Sequence, residues 1–201
     1  MYKNILVACA EVQSTGLNLT TEGRDVAVIF GDGAGAVVVS ESNDPAKGIL
    51  ANNIHADGNH VTELFLEEPG SVKPVRINKE MIEQGTIYPH MNGRFVFKHA
   101  IQKFPAAIYE ALEDAKCTLD DVDLVIPHQA NKRITEAIQH KLNLPTEKVY
   151  SNIERYGNTT AASIPIALRE AYEEGLIKEG SLVCTVAFGS GFTWGANLIR
   201  F

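Results

Sequence analysis

The sequence predicts an α/β fold, and three observations carry that prediction. Short β-branched runs bounded by acidic or turn residues, such as Val122, Leu124, Val125 and Ile126, or Leu182-Val183-Cys184-Thr185-Val186, have the length and composition of strands buried on both faces. Between them, segments at 95–116, 132–142 and 161–174 repeat apolar residues at helical spacing. Finally, three strand-length runs end in a histidine, an asparagine or a glycine-rich turn: His128, Asn158, and Gly189-Ser190-Gly191. Strand-end corners of this kind aim side chains into the crevice beyond a sheet's carboxyl edge, where open α/β proteins place their chemistry.

With 201 residues, of which 45% are hydrophobic and 21% charged, the chain can bury a substantial core. A net charge of −7 without a basic stripe argues against a nucleic-acid binder. The apolar runs are too short for a membrane span, and the start does not read as a signal peptide. Three widely spaced cysteines, Cys9, Cys117 and Cys184, suggest neither a disulfide framework nor a zinc site, so a reducing cytoplasm is the expected compartment.

Taken in order, Tyr2 to Ala10 reads as a sheet-interior strand, with Cys9 as a packing residue because no helix N-terminus follows to lower its pKa. Val26 to Phe30 and Ala36 to Ser40 read as two strands around Gly31-Asp32-Gly33-Ala34-Gly35. That loop fits a loose dinucleotide fingerprint but leads into a β-branched run, not a helix; a tight turn with positive φ is the better reading. From Glu41 to Tyr88 the pattern dissolves. His55, Asp57 and His60 lie there, at a spacing that matches no common metal-ligand set, and no metal is expected. A helix should run from about Phe95 to Lys116, kinked or divided at Pro105. The strand before His128, a helix over Lys132 to Leu142, a strand around Val149 to Ile153 and a helix over Ala161 to Glu174 follow. Leu182 to Val186 and Trp194 to Arg200 should form a closing antiparallel pair.

A histidine at a helix N-terminus feels the positive end of the dipole, which favours neutral imidazole. A neutral imidazole donating from Nε2 and the Asn158 amide could together form an oxyanion hole, and the turn Phe188-Gly189-Ser190-Gly191 could offer backbone N–H groups to a second oxyanion. A nucleophile is harder to find. Ser163, Thr159 and Ser190 are possible hydroxyls, but no Gly-x-Ser-x-Gly elbow surrounds them and His128 has no evident acidic partner.

These corners, in this order and with Phe30-Gly31-Asp32-Gly33-Ala34-Gly35-Ala36 upstream, resemble the β-ketoacyl-acyl carrier protein synthase III family of the thiolase superfamily. The match covers essentially the whole chain but only the C-terminal two-thirds or so of the family. It implies a thiolase-like layered αβαβα fold lacking the N-terminal part of its first half. Residues 1–90 would be the remainder of the N-terminal half with connecting loops, and 91–201 the C-terminal half. It also implies a condensing acyltransferase that joins acyl-CoA to malonyl-acyl carrier protein with loss of carbon dioxide, initiating fatty acid synthesis.

In that family an acyl-accepting cysteine lies in the portion absent here, so this chain alone is not expected to form an acyl-enzyme. By resemblance, His128 and Asn158 would hold the malonyl thioester oxygen and stabilise the enolate, while the Ser190 N–H and that of the absent cysteine would hold the tetrahedral oxyanion. Arg24 matches an adenine-contacting position; Gly93, Phe97, Ala130, Asn131 and Phe188 match the pantetheine channel. Ser190 stands where the family turn has glycine. Carrier-protein docking would fall to Lys98, Lys132, Arg133 and Lys141. CoA enters as a thioester substrate, no further cofactor is expected, and the family's pairing suggests a homodimer. The alternatives are another thiolase-superfamily condensing enzyme, or a non-catalytic subunit that binds carrier protein or CoA.

Overall fold

The computed structural model describes residues 2–201. Strand β1 (Asn4–Glu11), helix α1 (Arg24–Ala27) and strand β2 (Gly33–Ser40) come first, β1 and β2 pairing antiparallel with Asn4 opposite Ser40. Strand β3 (Gly48–Ala56), strand β4 (Leu64–Phe65), helix α2 (Lys79–Gln84) and strand β5 (His90–Met91) follow. The remaining elements are α3 (Gly93–Asp114), β6 (Leu124–Pro127), α4 (Lys132–Leu142), α5 (Ile153–Tyr156), α6 (Ser163–Glu173), β7 (Leu182–Gly189) and β8 (Thr193–Arg200).

The main sheet runs β3-β8-β7-β6, with β6 parallel to β7 and the other pairs antiparallel. Its period-two alternation sorts the core. Val125, Cys184, Val186 and Leu198 pack on one face with Ala100, Phe104 and Ile108 of α3 and Ile134 and Ile138 of α4. Leu124, Ile126 and Val183 pack on the other with Ala167 and Ala171 of α6. The sheet is therefore sandwiched between helices, which is why β6 and most of β7 are apolar at every position.

Several elements differ from the sequence reading. Pro105 does not divide α3, which is one 22-residue helix. The proline cannot donate to the carbonyl of Ile101, and Lys141 of α4 donates to that oxygen instead, at 3.1 Å. Only Phe30 of the expected strand Val26 to Phe30 makes a bridge, to Asn158; Val26 and Ala27 belong to α1, where Ala27 donates to Gly23, and Val28 and Ile29 form a turn. Around Val149 to Ile153 the strand shrinks to one bridge, Val149 with Val125, before α5 begins. β1 is not interior to a sheet among the described residues: β2 is its one partner, and Leu6 is 67% exposed. The patternless stretch yields α2 and β3. Asn53 fits the partly buried face of β3 because its amide donates to the Ala107 carbonyl (2.9 Å) and accepts from the Ala196 N–H (3.0 Å). β3 thereby joins the sheet of β6, β7 and β8, although it lies within 1–90.

The glycine loop is also glycine for a different reason. Positive φ occurs elsewhere, at Gly157 and Gly191 for example. At Gly31 the constraint is close approach: a Cβ there would stand 2.1 Å from the Tyr156 carbonyl oxygen.

Candidate functional site

His128 leaves the end of β6 with its N–H on the Val186 carbonyl (2.7 Å), so the sheet itself sets where the residue begins. Gln129, buried behind it, locks the corner. Its amide donates to the Pro127 carbonyl (2.7 Å) and its Oε1 accepts from the Asn152 N–H (3.0 Å), tying the corner to the segment before α5. Asn131 caps α4 by accepting from the Arg133 N–H at 2.9 Å. The His128 ring turns Nδ1 onto the Ser163 hydroxyl, 2.7 Å away at the start of α6.

Burial pushes His128 down from 6.5 to about 4, so the ring is neutral near neutral pH. Desolvation is the cause, not the helix dipole expected from sequence, since α4 begins only after Asn131. The part of the ring not covered by protein opens into a concave cavity, so packing around it, not bulk water, governs its ionisation.

Asn158 is held from three directions. Its N–H donates to the Ile29 carbonyl (2.9 Å), its carbonyl accepts from the Gly31 N–H (3.0 Å), and its side-chain Oδ1 accepts from the Thr160 N–H (2.9 Å). The last bond orients the carboxamide with Nδ2 as its remaining donor. The turn Thr160–Ala162 joins Asn158 to α6 and thus to Ser163, the residue touching His128. His128 and Asn158 both line one cavity of about 1210 Å³.

Ser190, in the turn between β7 and β8, lines the same cavity, as do Phe188 on β7 and Gly93 and Phe97 on α3. Ala130, Asn131 and Arg133 of the His128 corner complete the sequence-predicted set that meets there. Arg24 does not line the cavity; it sits on α1, 3.8 Å from Asp25, and Asp25 is the residue that reaches the wall.

The four basic residues expected to dock a carrier protein lie in different settings. Arg133 alone among them lines the cavity, Lys132 is ion-paired with Glu154, and Lys141 is engaged with α3. Lys98 lies on α3 away from the cavity wall.

Two of the three hydroxyl candidates for a nucleophile are otherwise engaged. Ser190 donates to the Leu64 carbonyl at 2.6 Å, and Ser163 is 2% exposed against Nδ1, with no carboxylate completing a triad. None of the three cysteines is among the cavity-lining residues. Cys184 lies within β7, its thiol pushed up to about 12 by burial. His55 pairs with Glu110 at 2.8 Å and stacks on Trp194, while His60 sits 3.8 Å from Asp57; among the described residues no three such groups are arranged for a metal.

Sequence reasoning missed Ser163 as the partner of His128, Gln129 as the lock of its corner, and Leu64, Asn53 and Met91 as cavity wall. For Ser163 a signal existed, a hydroxyl five residues past Asn158 at a helix start. Nothing local marks the wall residues: Asn53 and Leu64 lie in the stretch without periodicity, and Met91 just after it.

Two family descriptions match the chain: 3-oxoacyl-[acyl-carrier-protein] synthase III over residues 1–58, and the C-terminal part of the same family over residues 112–201. A β-ketoacyl-[acyl-carrier-protein] synthase III of Caldanaerobacter subterraneus is 44% identical over 201 residues, all of this chain and 59% of the relative. Its counterpart in Clostridioides difficile is also 44% identical, over 200 residues and 59% of its length. The crystal structure of 3-oxoacyl-[acyl-carrier-protein] synthase III from Aquifex aeolicus superposes with a TM-score of 0.87 at 44% identity, covering 99% of this chain and 58% of that one. The chain thus spans less of its relatives than the two-thirds expected from sequence. The likeness is to a thiolase-type α/β fold.

Proposed function

The chain belongs to the 3-oxoacyl-[acyl-carrier-protein] synthase III family, and from that premise we propose that it carries the decarboxylation site of a β-ketoacyl-acyl carrier protein synthase. One observation carries the reading: a neutral buried imidazole and a carboxamide with a free N–H donor share one cavity with a glycine-rich turn. In this reading malonyl-acyl carrier protein places its thioester oxygen between His128 Nε2–H and Asn158 Nδ2–H. The malonyl C–C bond breaks, carbon dioxide leaves, and its electron pair becomes an enolate whose oxygen the two donors hold. Each donor contributes about 3 kcal/mol to lowering the barrier. The enolate carbon then attacks an acyl thioester derived from acyl-CoA, with the Ser190 N–H on the resulting oxyanion. A neutral pair suits this task, since neither group needs to accept a proton.

The pantetheine arm would run past Phe97, Ala130 and Phe188, with Arg133 at the cavity wall meeting acidic substrate groups, and pairing with a second copy belongs to the same proposal. The acyl-bearing thiol is assigned to residues outside these 201, because no cysteine here lines the cavity.

In the full-length protein, His128→Ala and Asn158→Ala should each slow carbon dioxide release from malonyl-acyl carrier protein about 100-fold. Mass analysis after acetyl-CoA should place the acyl adduct outside residues 1–201. Wild-type rates in both variants, or an adduct on Cys9, would overturn the reading.

A further inference from the structure

The catalytic proposal requires a proton on His128 Nε2, and nothing on the cavity side enforces that choice. Behind the ring, however, Ser163 Oγ lies 2.7 Å from Nδ1, and the same oxygen is 3.4 Å from the Gln129 N–H. Gln129 is held by its own side chain on Pro127 and Asn152, so its N–H is a fixed donor aimed at that oxygen. Ser163 is 2% exposed, which leaves water little access to its hydroxyl.

We propose that Ser163 is a positioning residue that fixes the tautomer of His128, its hydroxyl donating to Nδ1 and so confining the imidazole proton to Nε2, the edge that opens on the cavity. The inference deepens the decarboxylation reading and rests on it for its functional meaning, though not for its geometry.

The argument is an account of donors and acceptors. Ser163 has one hydroxyl hydrogen and two lone pairs. The Gln129 N–H occupies a lone pair, and among the described residues Nδ1 is the one acceptor within reach of the hydroxyl hydrogen. With the opposite tautomer, Nδ1–H would point at Oγ as a second donor and strand the hydroxyl hydrogen in a buried site. It would also present a bare Nε2 lone pair to the enolate oxygen, turning a donor into a repelling group.

Ser163 thus acts in the opposite sense from the acid of a hydrolytic triad. A carboxylate behind Nδ1 accepts a hydrogen bond from Nδ1–H and stabilises the imidazolium that forms when Nε2 takes up a proton. A hydroxyl donating to Nδ1 stabilises the neutral ring. Consequently it makes His128 a fixed hydrogen-bond donor and suppresses its use as a base.

Nitrogen-resolved NMR of the His128 ring in the full-length protein tests this without reference to turnover. The wild type should show the proton on Nε2 and an Nδ1 signal displaced as a hydrogen-bond acceptor. Ser163→Ala should remove that displacement and raise the His128 pKa, and Ser163→Thr should restore both. Carbon dioxide release should fall about tenfold in the alanine variant with KM for the malonyl thioester unchanged, the loss of one neutral hydrogen bond. A wild-type proton on Nδ1, or an Nδ1 signal unchanged by Ser163→Ala, would overturn the proposal. If the alanine variant fails to fold, the wild-type spectrum decides alone. A correct tautomer in a protein that releases no carbon dioxide would sink the decarboxylation reading and leave the tautomer assignment intact.

Discussion

Acid should unfold this protein partly through one imidazole. In the unfolded chain His128 ionises near its ordinary value of 6.5, whereas in the fold burial pushes it down to about 4. Between those values the unfolded state binds a proton that the native state refuses, so stability falls as pH drops below 6.5, and this loss is complete near 4. At about 1.36 kcal/mol per pKa unit, the full contribution is about 3 kcal/mol, and about 2 kcal/mol has been lost by roughly pH 5. His128→Gln removes the titrating group while keeping a polar side chain, and carboxylates elsewhere titrate alike in both proteins. Urea unfolding at about pH 7.5 and about pH 5 should therefore show the glutamine variant gaining on the wild type by about 2 kcal/mol at the lower pH. If the two curves stay parallel across this range, the ring is not held neutral by the fold, and the argument for a neutral donor pair fails with it.

Two further perturbations test the scaffold. Lys141→Met keeps the packing stem but withdraws the donor from the Ile101 carbonyl, and it should cost about 1 kcal/mol in urea unfolding; an unchanged midpoint would mean that water serves that oxygen equally well. Gly31→Ala puts a Cβ 2.1 Å from the Tyr156 carbonyl oxygen, so the backbone pairing of Ile29 and Gly31 with Asn158 must open. Thermal unfolding should show a loss of several kcal/mol, as expected for a steric conflict with backbone, and a retained Tm would refute the close-approach account.

Much of the α/β scaffold was legible because its signals are local. α4 occupies Lys132–Leu142, the range its apolar spacing predicts. β7 and β8 close the sheet around the glycine turn as their composition suggests. The corners at His128, Asn158 and Ser190 also stood out, since each is a polar or glycine interruption after an apolar run, and all three reach the same cavity. Where the reading failed, a distant partner had overruled a local preference. Val26 to Phe30 has strand composition but no neighbouring strand to join beyond the single bridge at Phe30. Pro105 should break a helix in isolation, yet α3 persists because a lysine 36 positions further along donates to the orphaned carbonyl.

Periodicity and the order of the corners were therefore enough to determine the fold class and most of the main sheet and helices, and to single out three corners that reach one cavity. Only tertiary packing decided that β3 completes the sheet, that burial and not a helix dipole keeps His128 neutral, and that Ser163 meets its ring. The division has a physical basis. Backbone preference and hydrophobic pattern act over a few residues, whereas desolvation and the pairing of buried donors with acceptors depend on segments that meet only once the chain has folded.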